Sequence, residues 1–404
     1  MYGSLLAMIF FLPFSYALIA VCQAIMSIAW AFKFFLLCKT PSRRDRSQGF
    51  DFSPGSMVWP LIAIGLLIVL TIPFSHYPAL SIKKFFTRFL QQIFLMYLVT
   101  QVIDSRKRLY SVLAMLLLTF FVVAVDAMVQ YTWGHSIVHH KPLILGRVSG
   151  ALNHPNDLGT FLVTVLPMVL ALAINSRRWT ARGVISVLFL LLIIVLGLTS
   201  SRGAWLAFAV SMLALGACLS RRRVVVLIVL LLAVFFWIFG VHCLKTRTDL
   251  YNGPGSPVSV LEAFSDPSAR GLYWDTAIGV IKKYPWFGCG YNAYVQTLND
   301  LNIGHTEYPH NSLLHITAEL GLVGLVFYLW LFVALCLQGW RTICRVASLE
   351  DIRILGYGIS CGILAWMIHS LLDTPWSSLQ LSLLLWLMIG ILLSLDIVLP
   401  TKGD

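Results

Sequence analysis

The sequence predicts an all-α, polytopic integral membrane protein of about 12 transmembrane helices with one large extracytoplasmic loop that itself contains helix. Three observations carry that reading: 59% of the 404 residues are hydrophobic, only 11% are charged, and the basic residues gather between apolar runs. Soluble globular chains carry about 25% charged residues. A transmembrane helix consumes about 20 apolar residues, so the apolar stock suffices for about twelve crossings and excludes a single anchor on a large soluble domain. The apolar residues run on continuously instead of alternating in ten-residue segments, which excludes a transmembrane β-barrel. The net charge of +12 does not point to nucleic acid, because its placement is a topology signal.

Residues 2–38 are long enough for two short crossings or for one tilted helix with an interfacial extension, and the sequence leaves both open. The first basic residue is Lys33, so this stretch lacks the charged start of a cleavable signal peptide and is read as retained. Further spans are expected near 57–74, 85–103, 109–129, 156–175, 183–199, 204–219, 224–243, 312–337, 354–372 and 378–396. Basic clusters at Lys39/Arg43/Arg44/Arg46, Arg106/Lys107/Arg108, Arg177/Arg178/Arg182, Arg221/Arg222/Arg223 and Arg341/Arg345/Arg353 occupy every second connection. The positive-inside rule puts those connections in the cytoplasm and the intervening ones outside it. The chain therefore divides into transmembrane helices over 1–243, a loop domain over 244–311 and further transmembrane helices over 312–404. The eight cysteines show no metal-ligand spacing; only Cys243 and Cys289 could meet an oxidising compartment, and no disulfide is expected between them.

Function is expected to concentrate in the long loop, whose Pro, Gly, Tyr, Trp and charged residues make a soluble-looking mixture. Asp266 reads as an N-cap with Pro267 at the first helical position, and Trp274, Ala277, Ile278 and Ile281 then recur at helical spacing. An amphipathic helix should run over 267–283, closed by Lys282 and Lys283 before Pro285 and Gly288-Cys289-Gly290.

Charged groups at the extracytoplasmic boundary mark the candidate chemistry. Arg202 lies in Thr199-Ser200-Ser201-Arg202-Gly203, a connector so short that its flanking spans form a tight hairpin. An arginine within a helix centre costs about 2.5–3.5 kcal/mol on insertion scales, so either snorkelling or an anion accounts for it. Arg147, in Gly146-Arg147-Val148-Ser149-Gly150, reads the same way. Arg270 sits in the first turn of the expected loop helix, where a cation is unfavourable to the dipole unless an anion shares the helix start; the alternative is a solvated charge. Three arginines on one membrane face suggest an anion site, since the planar guanidinium fork suits phosphate.

His310 opens the run His310-Asn311-Ser312-Leu313-Leu314 at the water-exposed end of a helix, where an imidazole can move protons near neutral pH. His315 and Glu319 share a face of that helix one to two turns deeper, and Glu319 is expected to tie it to a neighbour rather than to carry protons. His76, His135, His139, His140, His154 and His305 read as surface or packing residues. His305 and His310 with Glu307 do not match a zinc spacing, so neither a metal nor another cofactor is expected.

The run His310 to Leu314 with Glu319-Leu320-Gly321, preceded by Arg270-Gly271-Leu272-Tyr273-Trp274 and Pro285-Trp286-Phe287-Gly288-Cys289-Gly290, resembles the C-terminal signature of the O-antigen ligase and polymerase superfamily. Ser201 to Trp205, and Arg147 through Asn153-His154-Pro155-Asn156, resemble its earlier motifs, so the likeness spans about residues 145–325. The resemblance implies a GT-C-like inner-membrane glycosyltransferase of Gram-negative bacteria. Its donor would be an undecaprenyl-diphosphate-linked O-antigen and its acceptor a sugar hydroxyl of lipid A core, joined at the periplasmic face. It further implies Arg202 and Arg270 as diphosphate contacts with Arg147 beside them, His310 as the group that activates the acceptor, and Asn311 and Glu319 as structural support. An inverting reaction without metal is implied as well. Within the family, an O-antigen polymerase and a protein O-oligosaccharyltransferase are the alternatives. Outside it, a lipid flippase or proton-coupled transporter would share the span count and use Asp126, His315 and Glu319, but pseudo-repeated halves are absent and the polar residues crowd one face. Membrane lipids are the remaining partners, and the sequence leaves the oligomeric state open.

Overall fold

The computed structural model describes residues 1–39, 55–220, 222–251, 267–303 and 307–398. It is helical nearly throughout, and among the described residues the only β-pairing is two isolated bridges, His135–Pro142 and Ile144–Arg147. The chain forms α1 (Tyr2–Phe11), α2 (Tyr16–Lys39), α3 (Val58–Thr71), α4 (Pro78–Lys84), α5 (Gln91–Val102), α6 (Arg106–Trp133), α7 (Pro155–Asn175) and α8 (Trp179–Leu198). There follow α9 (Arg202–Leu219), α10 (Arg222–Tyr251), α11 (Pro267–Lys283), α12 (Tyr294–Asp300), α13 (Ser312–Arg345), α14 (Glu350–Ser370) and α15 (Leu379–Ser394).

Among the described residues nine helices are long and apolar enough to cross a membrane, and α1 and α15 are shorter apolar helices. One more crossing is built from α4, a π-helical turn over Phe85–Leu90, and α5, which follow one another without a gap. The expectation of an all-α polytopic protein is met. The open question at the N-terminal stretch resolves as a helical hairpin. The ring of Tyr2 lies 5.7 Å from the Arg108 guanidinium, Ile9 reaches Thr119 further along α6, and the chain then turns so that Tyr16 meets Gln380 at 3.1 Å. With 10 residues α1 reaches about 15 Å, so it is short, and together with the turn after it runs from the basic end at Tyr2 to the opposite end at Tyr16.

Contacts confirm the alternation of ends. Arg106 pairs with Asp351 at 3.2 Å, Asn175 donates to the Asp351 carbonyl, and Arg345 pairs with Asp396, all at the end of the bundle that carries the basic connections. The opposite end, where the 244–311 connection attaches, is called the loop end below.

The core is built around α7, which is buried along almost its whole length. Its main partner is α14. A Cβ on Gly362 would stand 2.0 Å from the Thr164 carbonyl oxygen, so only glycine lets these two backbones approach so closely. The two helices carry His154, Asn156 and Thr160 at the start of one, and His369 and Asp373 at and just past the end of the other. The packing thus brings five polar groups to the loop end together.

Candidate active site

The turn between α8 and α9 carries one arginine of the site, Arg202. Ser200 adopts φ +48°, a left-handed conformation that non-glycine residues avoid, and the turn is clamped from outside by Arg147. Arg147 donates from Nε to the Thr199 carbonyl at 2.7 Å and from Nη2 to Asn156 Oδ1 at 2.7 Å. Arg202 is the first residue of α9, so it stands at a helix start, where free N–H groups favour an anion. Gly203 leaves room for His369, whose ring a Cβ would meet at 3.2 Å, and His369 Nδ1 is 2.7 Å from Thr160 Oγ1.

Arg270 arrives on α11. It joins Arg147, Arg202, Asn156, Ser200, Ser201 and His369 around one small, almost wholly polar cavity of about 50 Å³. Three arginines that are separated by up to 123 positions in the sequence thus line one space. Three guanidinium groups around one polar cavity are an arrangement that an anion would stabilise.

His310 stands next to it. Its backbone takes φ +47°, and such a conformation costs about 1–3 kcal/mol, a strain that collects at functional positions. Asn311 then caps α13, its side-chain oxygen accepting from the N–H groups of Leu313 at 2.9 Å and Leu314 at 3.1 Å. His310 Nδ1 is 2.8 Å from Asp373 Oδ1, which also accepts from the Thr374 N–H at 2.7 Å, while Ser312 Oγ donates to the Asp373 carbonyl. The carboxylate side chain is 12% exposed and the imidazole 26%, so the acid is enclosed and the base reachable. With Nδ1 engaged, Nε2 is the ring nitrogen left to take a proton. The Tyr273 ring, one turn beyond Arg270, lies 5.9 Å from the imidazole.

The charges at this end are coupled. The hydrogen bond to Asp373 raises the His310 pKa above its ordinary value, against burial and the nearby Arg270, which lower it. Burial pushes Asp373 upward, but its bond to His310, the charges of His310 and His369 and the Thr374 N–H together hold it far below the usual carboxylate range. Burial, and then Arg147, push His154 down to about 4, so it is neutral as it caps α7 by accepting from the Asn156 N–H.

Glu319 serves as a tie. Its carboxylate accepts from the N–H groups of Asn292 at 2.9 Å and Tyr294 at 3.4 Å. Just past it α13 breaks, with Gly321 at φ +69° and ψ −172°, and the segment 285–290 lies in the break. There Cys289 N–H donates to the Ala318 carbonyl, Gly290 N–H to that of Glu319, and Leu322 N–H to that of Pro285. Every freed backbone group near membrane depth needs such a partner. A Cβ on Gly321 would lie 2.1 Å from the Trp286 carbonyl, so the joint depends on glycine. This joint fixes the end of α11 against the start of α13, and with them Arg270 against His310. Of the other sequence-level features, the helix over 267–283 forms as expected, while Asp266 and His305 lie outside the described residues.

Sequence reasoning missed Asp373 and His369. They stand four apart at the membrane boundary of the span expected at 354–372, and the argument applied to Arg202 would have flagged them. It also assigned His154 to packing, whereas that residue lies within electrostatic reach of Arg147, Asp373 and His310.

A family model described as O-antigen ligase matches residues 187–329. No curated protein matches the chain. The matched segment holds Arg202, Arg270 and His310, while Arg147 and Asp373 fall outside it. Residues 187–329 are thus similar to the O-antigen ligase family over the helices and loop that bring Arg202, Arg270 and His310 to this site.

Proposed function

We propose that the protein transfers an O-antigen glycan from an undecaprenyl-diphosphate donor to a sugar hydroxyl of lipid A core, at the periplasmic face of the inner membrane. The observation that carries this reading is the juxtaposition of a three-arginine cavity with the His310–Asp373 pair. Glycosyl transfer from a diphosphate has two requirements, a sink for negative charge on the leaving phosphate and an acceptor for the hydroxyl proton. Arg202 and Arg270, with the start of α9, provide the first as fixed positive charge that needs no reorganisation. Arg147 spends two donors on Thr199 and Asn156, so its part is to hold the Arg202 turn as well as to add charge. His310 Nε2 takes the proton as the acceptor oxygen attacks the anomeric carbon from the face opposite the diphosphate. The carbon–oxygen bond to phosphate breaks, and Asp373 stabilises the imidazolium. A single displacement of this kind inverts the anomeric configuration and needs no metal. One dominant late loop favours the lipid A core ligase over a polymerase.

The test is reconstitution of the full chain with polyprenyl-diphosphate glycan and, in separate vesicles, lipid A core, a second donor molecule or an acceptor protein. Glycosylated lipid A core, formed equally in the presence of a chelator, is the expected product. Polymer or glycoprotein would reassign the chain within the superfamily, movement of lipid without covalent product would make it a transporter, and loss with chelator reversed by a divalent ion would overturn the metal-free mechanism.

A further inference from the structure

A second cavity of about 90 Å³ lies between α3, the π-helical turn, α5, α13 and the loop after α14. Its walls are mostly apolar, but Arg88, His315 and Glu319 line it too. Arg88 Nη1 is buried and makes no hydrogen bond. His315 is 3% exposed and neither of its ring nitrogens has a hydrogen-bond partner; Nε2 approaches Glu319 Oε1 to 3.2 Å without the geometry of one. Glu319 makes no ion pair or hydrogen bond with Arg88; its oxygens accept from the Asn292 and Tyr294 N–H groups. A buried guanidinium nitrogen and a buried imidazole facing one mainly apolar space leave donors unused, at a cost that a bound acceptor removes.

The position of Arg88 adds a second argument. With Lys83 and Lys84 it stands at the loop end of its crossing, against the charge pattern that every basic cluster named in the sequence follows. It sits in a π-helical turn, an interruption found most often at functional sites. His315, which lines the cavity, follows His310 by five positions near the start of α13, so the cavity lies at the same end of the bundle as the base.

We infer that this cavity is a binding site for a phosphate-bearing lipid headgroup, with Arg88 on the phosphate, His315 on a headgroup hydroxyl or phosphate oxygen, and the apolar walls against hydrocarbon. The inference rests on the proposed function in one respect: since the donor diphosphate occupies the three-arginine cavity, the lipid bound here is the acceptor.

The test has a binding arm independent of catalysis. Full-length protein in detergent is mixed with phosphatidic acid, diacylglycerol or inorganic phosphate, and bound molecules are counted by native mass spectrometry. Wild type is expected to retain phosphatidic acid over both others, and Arg88→Gln and His315→Gln to weaken that retention about tenfold, the scale of a charge-assisted hydrogen bond. Diacylglycerol retained as well as phosphatidic acid by wild type would overturn the site without any variant. So would inorganic phosphate bound equally in wild type and Arg88→Gln. In the transfer assay, wild type is expected to show a lower KM for phosphorylated than for dephosphorylated lipid A core, and Arg88→Gln to abolish that difference. Retention without the KM difference would keep the lipid site and reject the acceptor assignment.

Discussion

Replacing Asp373 with Asn probes the enclosed half of the proposed base. The amide has the shape of the carboxylate and can still accept from the Thr374 N–H, but it carries no charge 2.8 Å from His310 Nδ1. Two unit charges about 4 Å apart interact by about 4 kcal/mol at an effective dielectric near 20; halving that for the partly open imidazole leaves about 2 kcal/mol, or about 30-fold in rate. If the amide instead turns its NH2 toward Nδ1, the ring proton moves to Nε2 and the base is lost, a general-base contribution of about 10² to 10⁴. The variant should therefore lose between about 30-fold and about 10⁴-fold in kcat. The assay is glycan transfer in vesicles across pH. Because Asp373 raises the His310 pKa, and only neutral His310 accepts a proton, wild-type activity should rise with pH through a midpoint above that of an ordinary histidine. In the variant that midpoint should fall. A correctly inserted Asp373→Asn protein within about threefold of wild type, with an unmoved midpoint, would refute the pairing as a catalytic device.

Two further outcomes follow from the same structure. Arg202→Lys keeps the charge but loses the planar fork, and should cost at least about tenfold in kcat/KM; full activity would reduce Arg202 to a membrane anchor. Glu319→Ala leaves two buried N–H groups without acceptors and should lower stability by about 2–4 kcal/mol in thermal unfolding, whereas Glu319→Gln keeps an acceptor and should retain most of it. An unchanged melting temperature in the alanine variant would show that the joint at Gly321 does not need the carboxylate.

The spans were legible because burial in a bilayer imposes length and apolarity on each helix separately, and the basic clusters fixed their direction. Arg202, Arg270 and His310 were legible as charged or titratable groups at a boundary where such groups are costly. Their convergence was not, because it depends on α7 packing against α14, and the sequence of a helix buried along almost its whole length names no particular partner. The break in α13 was hidden for a similar reason: Gly321 in an apolar helix reads as a tolerated glycine until the segment 285–290 is seen lying in it. The π-helical turn at 85–90 leaves no periodicity signal in so short a stretch, so Arg88 passed as part of an ordinary span.

The central claim is a division of labour between guanidinium groups that hold the donor diphosphate and an imidazole that takes the acceptor proton. The most direct measurement is donor binding alongside transfer for Arg202→Lys, Arg270→Gln and His310→Ala in one vesicle preparation. The arginine variants should bind the polyprenyl-diphosphate glycan more weakly and transfer it more slowly, while His310→Ala should bind it as wild type does and form no product. Transfer by His310→Ala at a near-normal rate, or undiminished donor binding in both arginine variants, would contradict the account.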